Sequence, residues 1–138
     1  MEIAIMSRNN ALKNLNAPDV IDTAVISISS MDEELPQFTN KNMAILYLHF
    51  DDVDKGKPNY INETHANEIK NFVKSIRDNN YQNLVVHCGA GVSRSAGVAA
   101  ALMKYLYDDD WPVFNSPKYQ PNMTCYRMVL EKLMENDQ

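Results

Sequence analysis

Residues 83–95 read Asn83-Leu84-Val85-Val86-His87-Cys88-Gly89-Ala90-Gly91-Val92-Ser93-Arg94-Ser95, and this stretch decides how the chain is read. The apolar run over 84–87 suits a short strand buried in a parallel sheet. An alanine-rich run over 95–107 favours a helix and is apolar on most sides, as a buried helix would be. Between them lies a loop with Cys88 at one end, Arg94 at the other, and Gly89 and Gly91 inside. A strand, loop and helix in this order aim backbone N–H groups and a helix N-terminus at one spot, which makes an anion site. A thiol held in that field is favoured as its thiolate, the nucleophilic form. The stretch therefore predicts a site that binds a tetrahedral oxyanion and attacks it.

Working outward, residues 62–78 put Ala66, Ile69, Phe72, Val73 and Ile76 on one helical face, with Asn62 as N-cap and Glu63 in the first turn. Upstream, 3–6 reads as a short strand, 8–15 has helical spacing, 24–29 is alternating and β-rich, and 43–50 is strand-like. Pro36 and its polar neighbours mark a loop, as do Gly56 and Pro58 within 51–62. Downstream, Asp108-Asp109-Asp110 ends the helix, 111–116 holds one more short helix, and 122–136 is a final amphipathic helix. Strands alternating with helices predict an α/β domain with a mainly parallel central sheet flanked by helices. Ligands in such sheets bind at the carboxyl ends of strands, where the Cys88 loop falls.

The bulk properties fit one domain spanning 1–138: 45% of residues are apolar and 22% charged, enough for a core. No apolar run approaches a membrane span, and the first residues, Met1-Glu2-Ile3-Ala4-Ile5-Met6, do not resemble a signal peptide. A net charge of −5 without a basic cluster disfavours nucleic acid or an anionic membrane as partner. Two cysteines, Cys88 and Cys125, make no disulfide framework, and a working thiolate suits a reducing, cytoplasmic setting. The oligomeric state is left open.

The pattern His87-Cys88-x-x-Gly91-x-x-Arg94-Ser95 resembles the signature of the cysteine-dependent protein tyrosine phosphatase superfamily, and its Ser93-Arg94-Ser95 ending is most similar to the dual-specificity branch. Every defining position is met. The resemblance, strongest over 84–102 and weaker across the rest of 43–136, implies a protein tyrosine phosphatase-like fold. It also implies hydrolysis of phosphomonoesters through a phosphocysteine, without cofactor or metal. Cys88 is then the nucleophile. Arg94 grips two phosphoryl oxygens through its planar fork, which lysine could not do. The backbone of Gly89, Ala90, Gly91, Val92 and Ser93 completes phosphate binding, the glycines letting it curl. The resemblance gives Ser95 a hydroxyl bond to the sulfur, though Ser95 equally suits a helix N-cap. It puts His87 behind the loop in a supporting role, which a satisfied core histidine would also fill.

A leaving alkoxide needs a proton, and the family supplies it from an aspartate on an upstream loop. Asp52 in Leu48-His49-Phe50-Asp51-Asp52-Val53-Asp54 is the best match, with Asp51 and Asp54 as alternatives. A solvated acidic turn or weak cation site is the non-catalytic reading of the cluster. Pro121-Asn122 is similar to a dual-specificity pattern in which the asparagine braces the active-site loop, although Asn122 would also serve as a plain N-cap. Gly97, one turn into the helix, reads as a close-packing residue. Cys125 reads as a small core or surface residue, with a resolving role for oxidised Cys88 as the alternative. No counterpart of the phosphotyrosine-recognition loop of larger tyrosine phosphatases is found, which implies a shallower pocket open to phosphoserine and phosphothreonine too. The expected substrate is a phosphorylated protein or small phosphoester. Two other readings keep the fold: a phosphopeptide-binding module without turnover, and an enzyme for non-protein phosphoesters. The first usually lacks one of the cysteine, arginine or acid. Phosphoinositide enzymes tend to place lysines in the loop, where this chain has Ala90, Val92 and Ser93.

Overall fold

Side-chain alternation along four short strands, β1 (Glu2–Ser7), β2 (Thr23–Ser29), β3 (Ala44–His49) and β4 (Asn83–Cys88), sets the two faces of the sheet. A computed structural model of the chain describes residues 1–135 and pairs these strands all in parallel, in the order β1-β4-β2-β3. Helices α1 (Arg8–Leu15), α2 (Glu63–Asp78), α3 (Arg94–Tyr107), α4 (Trp111–Phe114) and α5 (Met123–Met134) complete a single small α/β domain. The expected parallel sheet flanked by helices is thus the observed one, and 84–87 lies in β4, an interior strand. The expected end of the last helix at Asn136 lies outside the described residues. Among those residues, no helix is long and apolar enough to cross a membrane.

Ala24, Ile26 and Ile28 of β2 join Leu84, Val86 and Cys88 of β4 on one face, packed against α2, α3 and α5. Val25 and Val85 point the other way, to Ala11 and Leu15 of α1. The alternation that turns Cys88 toward the larger core therefore turns His87 to the α1 side. There its ring meets Phe38 edge-on at 5.8 Å and its Nε2 lies 2.7 Å from Ser27 Oγ, the hydroxyl beside it in register.

Helix α2 buries Ala66, Ile69, Val73 and Ile76, and Phe72 packs partly buried against the same cluster. Asn62 caps it: its Oδ1 accepts the His65 N–H at 3.0 Å while His65 Nδ1 accepts the Asn62 N–H at 3.0 Å. Glu63 reaches across to Lys132 of α5 at 2.8 Å. Residues 94–102 of α3 are all buried, and only its last turns reach solvent. Gly97 is the contact point with α5, since a Cβ there would lie 2.4 Å from Asn122 O and 3.0 Å from Cys125 Cβ. The helix stops at Asp108, which takes a left-handed φ of +55° and pairs with Lys104 at 2.8 Å.

Candidate active site

The loop between β4 and α3 has three of its carbonyls bonded to neighbouring segments and leaves its N–H groups open. Arg8 N–H, from the β1–α1 junction, donates to Gly89 O at 3.0 Å. From the segment before α5, Gln120 N–H donates to Val92 O at 3.0 Å and Asn122 N–H to Ser93 O at 3.0 Å. The N–H groups of Ala90, Gly91, Val92, Ser93 and Arg94 donate to no protein acceptor among the described residues. Backbone donors grouped in this way form an anion nest, and the start of α3 adds its dipole. Gly91 makes the curl possible. Its φ of +72° is left-handed, and a Cβ would sit 2.7 Å from backbone atoms of Met6 and Ser7. Gly89 is different: a Cβ there would meet only Arg94 Nη2, at 3.7 Å, an ordinary contact.

Cys88 ends β4 with its Sγ 3.0 Å from Ser95 Oγ. The helix begins at Arg94, so the N-cap position belongs to Ser93. The N-cap alternative for Ser95 is therefore corrected: Ser95 is the second residue of the helix, and its hydroxyl faces the sulfur. The Arg94 side chain is buried, and its Nη1 donates to Phe50 O at 2.8 Å and to Ser30 Oγ at 2.9 Å. Those two bonds orient the guanidinium plane. His87 lies beneath the loop. Its Nδ1 is 3.3 Å from Cys88 O; a carbonyl only accepts, so Nδ1 carries the proton and Nε2 accepts from Ser27. Burial holds this imidazole below its ordinary value, keeping it neutral.

Of the three aspartates, Asp52 alone joins Cys88, Ala90, Val92, Ser93, Arg94 and Gln120 around a cavity of about 370 Å3. Its Oδ1 accepts from Ser93 Oγ at 2.8 Å and from Asn122 Nδ2 at 2.9 Å. Asp51 is turned away, its carboxylate accepting from Met31 N–H at 2.9 Å and Asn59 Nδ2 at 3.3 Å. Asp54 takes part through its carbonyl, which accepts from Lys57 N–H at 3.1 Å. Asn122 uses both ends of its side-chain amide. Its Oδ1 caps α5 through Cys125 N–H at 3.0 Å, while its amide holds Asp52 and Val53 O. Cys125 is a core residue on the α3–α5 contact, its thiol pushed up by burial. A larger groove of about 530 Å3 beside Lys74, Arg77 and Tyr105 is lined by no cysteine, serine or threonine. Among the described residues, no three His, Cys, Asp or Glu side chains are grouped as metal ligands.

Four supporting groups escape a reading of the chain alone: Ser27 under His87, Ser30 and the Phe50 carbonyl on Arg94, and Thr124, whose Oγ1 accepts the Lys55 N–H at 3.0 Å. For the three side chains the only sequence signal is a hydroxyl within or just after a strand, or in the first turn of a helix, and the Phe50 carbonyl gives none.

This architecture defines a class: the chain has the fold of the dual-specificity and tyrosine-type phosphatases. Human DUSP28 superposes with a TM-score of 0.64 at 17% identity, over 95% of this chain and 90% of that one. DUSP15 does so with a TM-score of 0.65 at 24% identity, over 96% and 83%. A mouse putative dual specificity phosphatase, solved with zinc tungstate, gives 0.65 at 19%, over 94% and 80%. No protein-family model and no curated sequence matches the chain.

Proposed function

We propose that this domain, residues 1–138, is a phosphoprotein phosphatase of the dual-specificity or tyrosine type. One observation carries the reading: Cys88, Arg94 and Asp52 line a single cavity with Ala90, Val92 and Ser93 of a loop whose N–H groups are left without a protein acceptor among the described residues. In the first step, the Cys88 thiolate attacks phosphorus in line with the ester oxygen. The S–P bond forms as the P–O bond breaks, and Asp52 gives its proton to the departing oxygen. Arg94 and the loop N–H groups hold the equatorial oxygens, binding more strongly as charge develops there. In the second step, Asp52, now a carboxylate, takes a proton from water, whose oxygen attacks phosphorus. The S–P bond breaks, phosphate leaves, and Ser95 donates to the regenerated thiolate. Asn122 and His87 support the acid and the loop. Nucleophile, acid and anion binder are all protein groups, so the steps need neither metal nor cofactor. A thiolate in this role suits reducing, cytoplasmic conditions.

The test is hydrolysis of an aryl phosphate by wild type and Cys88→Ser side by side, with a chelator present. Activity in wild type alone is the expected result. Turnover by Cys88→Ser would sink the mechanism, and a loss restored by added metal would mean a metal route. Phosphate-analogue binding by both proteins with turnover by neither would point to a binding module.

A further inference from the structure

Ser93 occupies the N-cap position of α3 yet does not cap it. A capping serine has extended backbone and turns its oxygen onto the N–H of the second or third helical residue. Ser93 has φ −116° and ψ −74°, and its side chain makes no cap bond. Its hydroxyl donates instead to Asp52 Oδ1 at 2.8 Å, across 41 residues of sequence.

Two consequences follow from this geometry. A capping oxygen would place lone pairs among the N–H groups that face the anion, competing with a phosphoryl oxygen for them. Turned to Asp52, the hydroxyl leaves those donors open. The same bond also fixes the acid. Both hydrogen bonds received by the carboxylate, from Ser93 and from Asn122, fall on Oδ1. Oδ2 accepts from no protein donor among the described residues and is the oxygen left to carry the proton. One donor comes from the phosphate loop and the other from the start of α5, so the carboxyl is held from two sides.

We infer that Ser93 is a positioning residue that ties proton donation by Asp52 to the phosphate loop itself, so that acid and anion site are set by one side chain. The inference rests on the phosphatase reading and on Asp52 as its acid. It predicts that Ser93 matters in proportion to the leaving group's need for a proton.

The experiment compares wild type, Ser93→Ala and Ser93→Thr on two esters: phenyl phosphate, with a poor leaving group, and 4-nitrophenyl phosphate, with a good one. Ser93→Ala should lower kcat on phenyl phosphate roughly three- to ten-fold, the effect of one hydrogen bond in the transition state. On 4-nitrophenyl phosphate kcat should stay within about two-fold, and KM should hold for both esters. Ser93→Thr, which keeps the hydroxyl, should restore the phenyl phosphate rate. Thermal stability should fall by no more than the loss of the single bond to Asp52, because no cap bond is lost with it. Equal losses on both esters, or a raised KM, would assign Ser93 to phosphate binding and overturn the inference while leaving the phosphatase reading in place. A wild type inactive on both esters would overturn the two together.

Discussion

Asp52 and Asp51 are neighbours with opposite employment. Asp51 locks a turn by accepting from Met31 and Asn59, while Asp52 hangs over the cavity with one oxygen braced. Under the mechanism proposed above, Asp52→Asn should slow an ester with a poor leaving group by about 10²- to 10⁴-fold, the usual range for a general acid, and a good one far less. Asp54→Asn should stay near wild type on both. Steady-state rates on the same two esters check this, and a loss confined to Asp54→Asn would move the acid. Gly91 makes a second case at this scale. Any side chain there meets a left-handed backbone costing about 1–2 kcal/mol and the main chain of Met6 and Ser7 as well. Gly91→Ala should therefore lose stability and phosphate binding together, as read by urea unfolding and by titration with a phosphate analogue.

The elements themselves were largely legible. The run 8–15 became α1 with the same limits, the alternating 24–29 became β2 with one residue added, and Asn62 caps α2 as its position suggested. These signals are local: periodicity, a cap, a turn residue. The Cys88–Arg94 loop was legible for the same reason, since its parts lie within seven residues of one another. What could not be read were bonds set by strand order. Arg94 finds Ser30 across 64 residues and His87 finds Ser27 across 60, because β2 lies beside β4 in the sheet. Nor does spacing say which of three aspartates a loop turns inward. The α3–α5 contact gives the test at this scale. A methyl at position 97 overlaps Asn122 O, and α5 moves only if its cap moves with it. Gly97→Ala should cost about 1–3 kcal/mol by overpacking, measurable by chemical denaturation. It should also weaken the Asn122 hold on Asp52, so that poor leaving groups suffer more than good ones.

Across the whole molecule, acid sensitivity follows from two imidazoles that folding desolvates, His87 buried and His65 half-buried. Burial holds His87 and His65 below the ordinary value of 6.5. As pH falls through about 6.5 the unfolded chain takes up protons that the folded chain refuses, so folding stability is complete above that value and is lost toward the folded-state values. Glu33 acts lower down: the Ser30 N–H holds its carboxyl below 4.5, so its contribution is lost as pH falls through that more acidic range. Urea unfolding at pH 7.5 and 5.5 should show the first loss, and His87→Gln should flatten it. An unchanged difference in that variant would assign the effect to other groups. The hold on the acid loop has a consequence of another kind, in the order of biosynthesis. Lys55 N–H rests on Thr124 and Asp52 on Asn122, so the loop is gripped by a helix translated 69 to 70 residues after it. A nascent or clipped chain ending before that helix carries the thiol and the arginine but not the brace on Asp52. Under the mechanism proposed above, turnover is then withheld until that helix has emerged, and a shorter chain has little power to strip phosphate from what it meets.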